Sequence, residues 1–127
     1  MREKILIAKN ISMHFGGVKA IDDISLDVED GQILGIIGPN GSGKSTFFNV
    51  LTGLYKPTTG TFTYKGENIT GYAPHRLCRR GLARTFQNIR VFKRLTVLKN
   101  VLIGQHSELK TTFVPALLRT AGSKAEE

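Results

Sequence analysis

The sequence predicts an α/β domain built around a phosphate-binding loop, and three observations predict it. An apolar run from Gln32 to Ile37 leads into Gly38-Pro39-Asn40-Gly41-Ser42-Gly43-Lys44-Ser45. That octapeptide fits the pattern G-x-x-x-x-G-K-[ST] without a gap. Phe47, Val50, Leu51 and Leu54 then recur at three- and four-residue spacing, as on one face of a helix. Strand, glycine-rich loop and helix in that order are the context in which such a loop holds phosphate.

The elements follow in chain order. Ile5 to Ser12 reads as a first strand, with Met13 to Gly17 as its continuation or a turn. Ile24, Leu26 and Val28 alternate with Ser25, Asp27 and Glu29, the period of a strand with one wet face. Asp30-Gly31 is a turn signal. Gln32 to Ile37 is apolar almost throughout, as a strand covered on both faces would be. After the helix, Gly53 and the stretch Pro57 to Gly60 are breaks. Thr61 to Lys65 favours a strand, with Lys65-Gly66 as the turn of a hairpin. Pro74 opens a short helix to about Arg80, with Gly81 beyond its end. Leu82 to Phe86 reads as a strand, and Val97, Leu98, Val101 and Leu102 as an amphipathic helix capped by Thr96. Beyond Thr111 there is one apolar stretch, Phe113 to Leu118.

The loop's residue types follow from the chemistry of a nucleoside triphosphate, which offers several negative charges and many acceptor oxygens. Backbone N–H groups can cradle it only where no Cβ stands in the way, and Gly38, Gly41 and Gly43 permit that approach. The start of the following helix adds unpaired N–H groups and the positive end of its dipole. Lys44 brings a full charge to the β and γ phosphates, and the Ser45 hydroxyl is placed to ligate Mg²⁺. A Gly-rich turn with a solvated lysine would need neither residue at these offsets.

Composition and charge set limits. The 127 residues are 40% hydrophobic and 22% charged, a globular balance that suits one domain. No apolar run approaches the ~18 residues of a membrane span, and the N-terminus does not read as a signal peptide, so a soluble cytosolic chain is expected. Cys78 is the single cysteine, which excludes an intrachain disulfide and a cysteine-built zinc site. His14, His75 and His106 are too scattered for a metal cluster. The net charge of +8 falls in the second part of the chain: between Arg76 and Lys99 there are eight basic residues and no acidic one. Such a block suits an anionic neighbour (nucleic acid, a membrane surface or a phosphorylated ligand) or simply a solvated face.

The segment Gly38 to Thr46 resembles the Walker A segment of the ATP-binding subunits of ABC transporters. Leu51-Thr52-Gly53 and Pro57 to Gly60 are similar to that family too, and Arg84-Thr85-Phe86-Gln87-Asn88 resembles its Q-loop. Within the family, Met13 to Ala20 and Arg84 to Lys110 resemble the larger ATP-binding subunit of branched-chain amino acid importers. The resemblance implies a P-loop NTPase fold of the ABC type with N-terminal antiparallel strands, the chain being the N-terminal part of a single ATP-binding domain. It implies ATP and Mg²⁺ as ligands, held by Gly38, Pro39, Asn40, Gly41, Ser42, Gly43, Lys44, Ser45 and Thr46. It also implies hydrolysis coupled to amino acid uptake. Phe15 matches the A-loop aromatic that stacks on adenine, the alternative being a core residue. Val18 would pack nearby. Gln87 matches the Q-loop glutamine, which reaches Mg²⁺ and the attacking water; Lys44 and Gln87 are then the catalytic candidates, Ser45 and Gln87 the metal candidates. The implied partners are membrane-spanning subunits and a second ATP-binding subunit, at the cytoplasmic face of the cell membrane. The basic block, with Arg79, Arg80 and Arg84, would face anionic headgroups or acidic loops.

The family's later motifs are missing. No aspartate follows Asp30, so the Mg²⁺-holding aspartate of such sites is not in this chain, and neither is the signature motif nor the switch histidine. The expectation is weak nucleotide binding, negligible turnover, and open apolar faces on the segment Gln32 to Ile37 that favour aggregation. Two rival readings remain open. A different P-loop NTPase is one, although the N-K-x-D motif of GTPases is absent. A basic nucleic-acid-binding module is the other, although only Phe86 and Phe92 lie among the basic residues to stack on bases.

Overall fold

The structure, a computed structural model, describes residues 3–88 and 91–104. They fall into two units, one ending at Arg84 and one beginning at Thr85. The first unit holds strands β1 (Lys4–Phe15) and β2 (Val18–Glu29), helix α1 (Lys44–Leu51), strands β3 (Thr59–Tyr64) and β4 (Glu67–Asn68), and helix α2 (Pro74–Arg79). The strands form one antiparallel sheet in the order β2-β1-β3-β4.

The long β1–β2 hairpin works because two bulges compensate each other. In a strand, side chains alternate faces, so Leu6 and Ala8 would lie opposite Ile11 and Met13 if the pleat ran unbroken. All four are buried. From Ala8↔Leu26 to Ile11↔Ile24, β1 spends three residues against two on β2. From Ile11↔Ile24 to Met13↔Ile21 the excess passes to β2. Each bulge carries a residue in the left-handed region, Asn10 (φ 50°) and Asp23 (φ 52°). These two hold one another: Asn10 Nδ2 donates to Asp23 Oδ1 at 2.8 Å, and Asp23 N–H donates to Ser12 Oγ at 2.9 Å. The apolar face is thereby restored and the hairpin is continuous to Gly16-Gly17.

The core lies between the sheet and the two helices. Ala8, Ile11, Met13, Ile21 and Phe62 from the strands meet Phe47 and Val50 of α1, Ile69, and Leu77 of α2. Phe47 and Phe62 pack with ring centroids 5.8 Å apart. Each fully buried side chain of this size contributes about 1.5–3 kcal/mol. Lys65 and Gly66, both at positive φ, make the tight β3–β4 turn. Helix α1 ends where Gly53 turns left-handed (φ 77°); a Cβ there would stand 2.1 Å from the Tyr72 carbonyl. Pro74 occupies the first turn of α2 and Gly81 follows its end, as expected.

Two expected strands do not form. Residues 32–37 form no strand and have no strand partner among the described residues, and Ile33 and Ile37 are each 98% exposed. A parallel strand needs neighbours on both edges to satisfy its backbone, and here the segment's start is fixed by a turn, with Gln32 N–H donating to Glu29 O and Gln32 Oε1 accepting from Glu29 N–H. Leu82 to Phe86 likewise does not form a strand. The strand read at Ile24–Val28 extends back to Val18.

The second unit is described from Thr85 to Asn88 and from Val91 through helix α3 (Val97–Gly104). Thr96 Oγ1 accepts from Lys99 N–H at 3.3 Å, the expected cap. Asn100 ties the preceding loop to the helix, accepting from Phe92 N–H at 2.9 Å and donating to the Phe92 and Thr96 carbonyls. Val97, Leu98 and Val101 are exposed. Gly104 lies within the helix. His106 and the stretch Phe113 to Leu118 lie outside the described residues. No described helix is long and apolar enough to cross a membrane.

Candidate phosphate-binding site

The loop between residues 37 and 44 is shaped by its glycines. Gly43 is left-handed (φ 86°), and a Cβ on it would stand 2.3 Å from the Ala20 carbonyl of β2. Only glycine lets the helix begin this close to the strand. A Cβ on Gly38 would come within 2.7 Å of Ser42 Oγ, so that hydroxyl would have to rotate away. Gly41 (φ 83°) has open space on the same side.

Helix α1 then starts without a protein anion. Gly43 is its N-cap, no side chain caps it, and no acidic residue stands in its first turn. The first helical bond is Phe47 N–H to Gly43 O at 2.8 Å. The N–H groups of Lys44, Ser45 and Thr46 precede it, a set that an anion can satisfy. Lys44 folds back over the loop, its Nζ donating to the Gly38 and Pro39 carbonyls at 2.5 Å each and to Ser42 Oγ at 3.3 Å. The ammonium is thus held across the mouth of the loop by neutral acceptors, with no carboxylate competing for it. Ser45 is exposed at the helix start, and Pro39 and Asn40 are exposed at the loop's tip. A cleft of about 280 Å³ adjoins the loop, walled by Ile24, Leu26, Ile36, Ile37 and Phe47 on its apolar side and by residues 38, 39 and 42–44 on the other.

Phe15 ends β1 directly opposite Val18, the first residue of β2. Phe15 is 44% exposed, which removes the core alternative. Val18 lies two residues before Ala20, the residue against which Gly43 packs. At ~3.3 Å per residue that places Val18 about 7 Å along the strand from the loop's contact point. Sequence reasoning missed Tyr55, whose ring meets Phe15 at 5.3 Å and 80°. No local signal marks it, because the chain must leave α1 and return to β1 to bring it there. Gln87 belongs to the second unit, exposed in a bend at residues 87–88.

The basic block is partly internal. Arg80 grips Glu67 through two bonds of 2.7 Å, and Tyr72 Oη donates to the same carboxylate at 3.1 Å. The guanidinium beside Glu67 holds its carboxyl below the usual glutamate range. Arg76 and Arg80 also lie over the Tyr72 ring, 4.3 and 4.9 Å from its centroid. Arg84 Nη1 donates to Asn49 Oδ1 of α1 at 2.6 Å. The expected cationic face thus loses Arg80 and Arg84 to bonds within the protein, while Arg79 is exposed; Arg90 lies outside the described residues.

Known proteins agree with this geometry. The family model described as ABC transporter matches residues 21–127. The high-affinity branched-chain amino acid transport ATP-binding protein BraF of Pseudomonas aeruginosa is 43% identical over 127 residues, 100% of this chain and 50% of the relative. LivG of Escherichia coli, described in the same words, is 41% identical over 120 residues, 94% of this chain and 47% of the relative. The chain spans about half the length of the curated relatives it matches. Among solved structures, a nucleotide-free ATP-binding cassette from an ABC transporter superposes with TM-score 0.75 at 38% identity, covering 96% of this chain and 48% of that one. The ADP conformation of an ATP-binding cassette of an ABC transporter does so with TM-score 0.75 at 39% identity, covering 94% and 46%. The fold is accordingly that of the ABC ATPase cassette, a P-loop NTPase, and the chain belongs to the ABC transporter family.

Proposed function

We propose that this chain is the ATP-binding part of an ABC transporter that couples ATP hydrolysis to the uptake of branched-chain amino acids. The observation that carries the reading is the glycine-shaped loop whose lysine and helix start stand ready for an anion without any protein carboxylate. The printed names of the relatives, which are branched-chain amino acid transport ATP-binding proteins, supply the solute class; uptake as the direction comes from the resemblance of Met13 to Ala20 and Arg84 to Lys110 to importer subunits.

In this reading the amides of Gly41 to Thr46 receive the phosphates, Lys44 moves its ammonium from the loop carbonyls to the β and γ oxygens, and Phe15 and Val18 take the base. Among the described residues no group of three or more His, Cys, Asp or Glu could hold a metal. The exposed hydroxyl of Ser45 at the helix start fits Mg²⁺, which is commonly bound by few protein ligands together with substrate phosphates and water. The Ser45 hydroxyl would hold it, and bound there Mg²⁺ would supply neutralisation of phosphate charge; a metal role for Gln87, which belongs to the second unit, rests on the Q-loop resemblance alone. Gln87 also orients the attacking water. The partners are membrane-spanning subunits and a second ATP-binding subunit, at the cytoplasmic face of the membrane. Nucleic acid is not expected among them; two cations of the basic block, Arg80 and Arg84, are bonded within the protein.

Calorimetry with Mg²⁺–ATP tests the binding step: the wild-type chain binds and Lys44→Ala does not. Equal heats from both would overturn the reading. Disrupting the coding sequence in its host should abolish ATP-dependent leucine, isoleucine or valine uptake, and undiminished uptake of all three would reject the assigned transport.

A further inference from the structure

We infer that Tyr55 is a positioning residue for nucleotide recognition: its ring, set edge-to-face with Phe15, fixes the orientation of the aromatic surface offered to the base. The inference deepens the ATP-binding reading and rests on it.

Phe15 stands at the very end of β1, where little else directs a ring. The turn beyond it is Gly16-Gly17, and neither position has a neighbour within 4 Å on its side-chain side. Its cross-strand partner Val18 is itself exposed. An exposed phenylalanine at such a place exchanges among rotamers, and a base that stacks on it must first select one. Tyr55 removes that freedom. The two centroids are 5.3 Å apart with planes at 80°, the arrangement in which the positive edge of one ring meets the negative face of the other. Phe15 and Tyr55 remain 44% and 42% exposed, so the pair is built without being buried, and surface is left for a third flat group.

Tyr55 is itself fixed from both sides. Its N–H donates to the Asn49 carbonyl of α1 at 3.3 Å. Three residues later, Thr58 N–H donates to Ser12 O at 2.9 Å, and Thr58 Oγ1 accepts from His14 N–H at 3.0 Å. Chain leaving the helix is therefore pinned to β1 immediately beside Phe15. That helix is the one that begins at Lys44. The phosphate-holding loop and the base-facing ring are joined through a single short helix, so the spacing between them is set before nucleotide arrives.

The test uses the full chain with Mg²⁺ and two ligands, ATP and inorganic tripolyphosphate, which has the phosphates and no base. Tyr55→Leu keeps apolar bulk and removes the ring edge; it should weaken ATP about fivefold, within the strength of an edge-to-face pair, and leave tripolyphosphate within about twofold of wild type. Tyr55→Phe keeps the ring and should restore ATP binding. Tyr55→Leu with unchanged ATP affinity, or with equal loss for both ligands, would overturn the positioning role while leaving the phosphate site standing. A folded wild-type chain that binds neither ligand would overturn both.

Discussion

Replacing Gly43 by alanine probes the phosphate loop at its tightest point, and Gly41 provides an internal control. The two glycines have nearly the same backbone, φ 86° and 83°. An alanine at either pays the left-handed penalty of roughly 1–2 kcal/mol. They differ in what the new methyl meets. At Gly41 it enters open space, whereas at Gly43 it falls 2.3 Å from the Ala20 carbonyl oxygen, over 1 Å inside ordinary contact. The carbon cannot swing away, because the obstacle is backbone, so α1 must separate from β2; overpacking of this kind costs about 1–3 kcal/mol more. Gly41→Ala should therefore lose about 1 kcal/mol and Gly43→Ala about 3 kcal/mol, in a domain whose total stability is of the order of 5–15 kcal/mol. Urea unfolding followed by circular dichroism reads the difference, with unchanged slopes certifying that the comparison is of stability. Equal costs at the two positions would refute the claim that the β2 backbone, and not the dihedral alone, demands glycine at Gly43.

Other perturbations reach the rest of the molecule. Glu67 has its folded-state pKa lowered by Arg80, so the stabilisation it provides is present above the ordinary glutamate range of ~4 and is lost as pH falls through the lowered value. The gap in urea midpoint between wild type and Glu67→Gln should shrink from pH 7 to pH 3, and a gap that widens on acidification would contradict the pairing. Ile33 and Ile37, each 98% exposed, should drive self-association; Ile33→Thr with Ile37→Thr should raise the concentration at which light scattering appears, and no change would remove this face as the cause. The chain carries no aspartate after Asp30, so phosphate release from Mg²⁺–ATP should stay at background, and steady turnover would show that the carboxylate is dispensable. Oligonucleotide binding should be absent at physiological salt, and a steep salt slope in a filter assay would reinstate the nucleic-acid reading.

How far the sequence could be read depended on how locally each feature is determined. The glycine-rich turn and the helix that follows it were legible because their signals lie within a few consecutive residues, Gly38 to Leu51. The turns at Lys65-Gly66, Pro74 and Gly81 were legible for the same reason. The β1–β2 hairpin was only half legible: the bulges at Asn10 and Asp23 switch the parity of the apolar pattern, so Ile21 and Ile24 look out of phase although one strand carries both. Gln32 to Ile37 shows the opposite error. Its composition is that of a buried strand, yet pairing is a property of neighbours, and none pairs with it among the described residues. The ring of Tyr55 and the engagement of Arg80 with Glu67 arise from long-range returns of the chain that no spacing rule encodes. Phe15 was assigned through resemblance, and its exposure, not its pattern, separated a surface role from a core one.

The central claim is that backbone amides at the start of α1 receive phosphate. Proton–nitrogen correlation spectra of the 14.0 kDa chain, titrated with Mg²⁺–tripolyphosphate, test it most directly. The amides of Gly41, Ser42, Gly43, Lys44, Ser45 and Thr46 should shift together and saturate, with those of β3 and β4 still. A well-dispersed spectrum in which these six signals do not move would contradict the account.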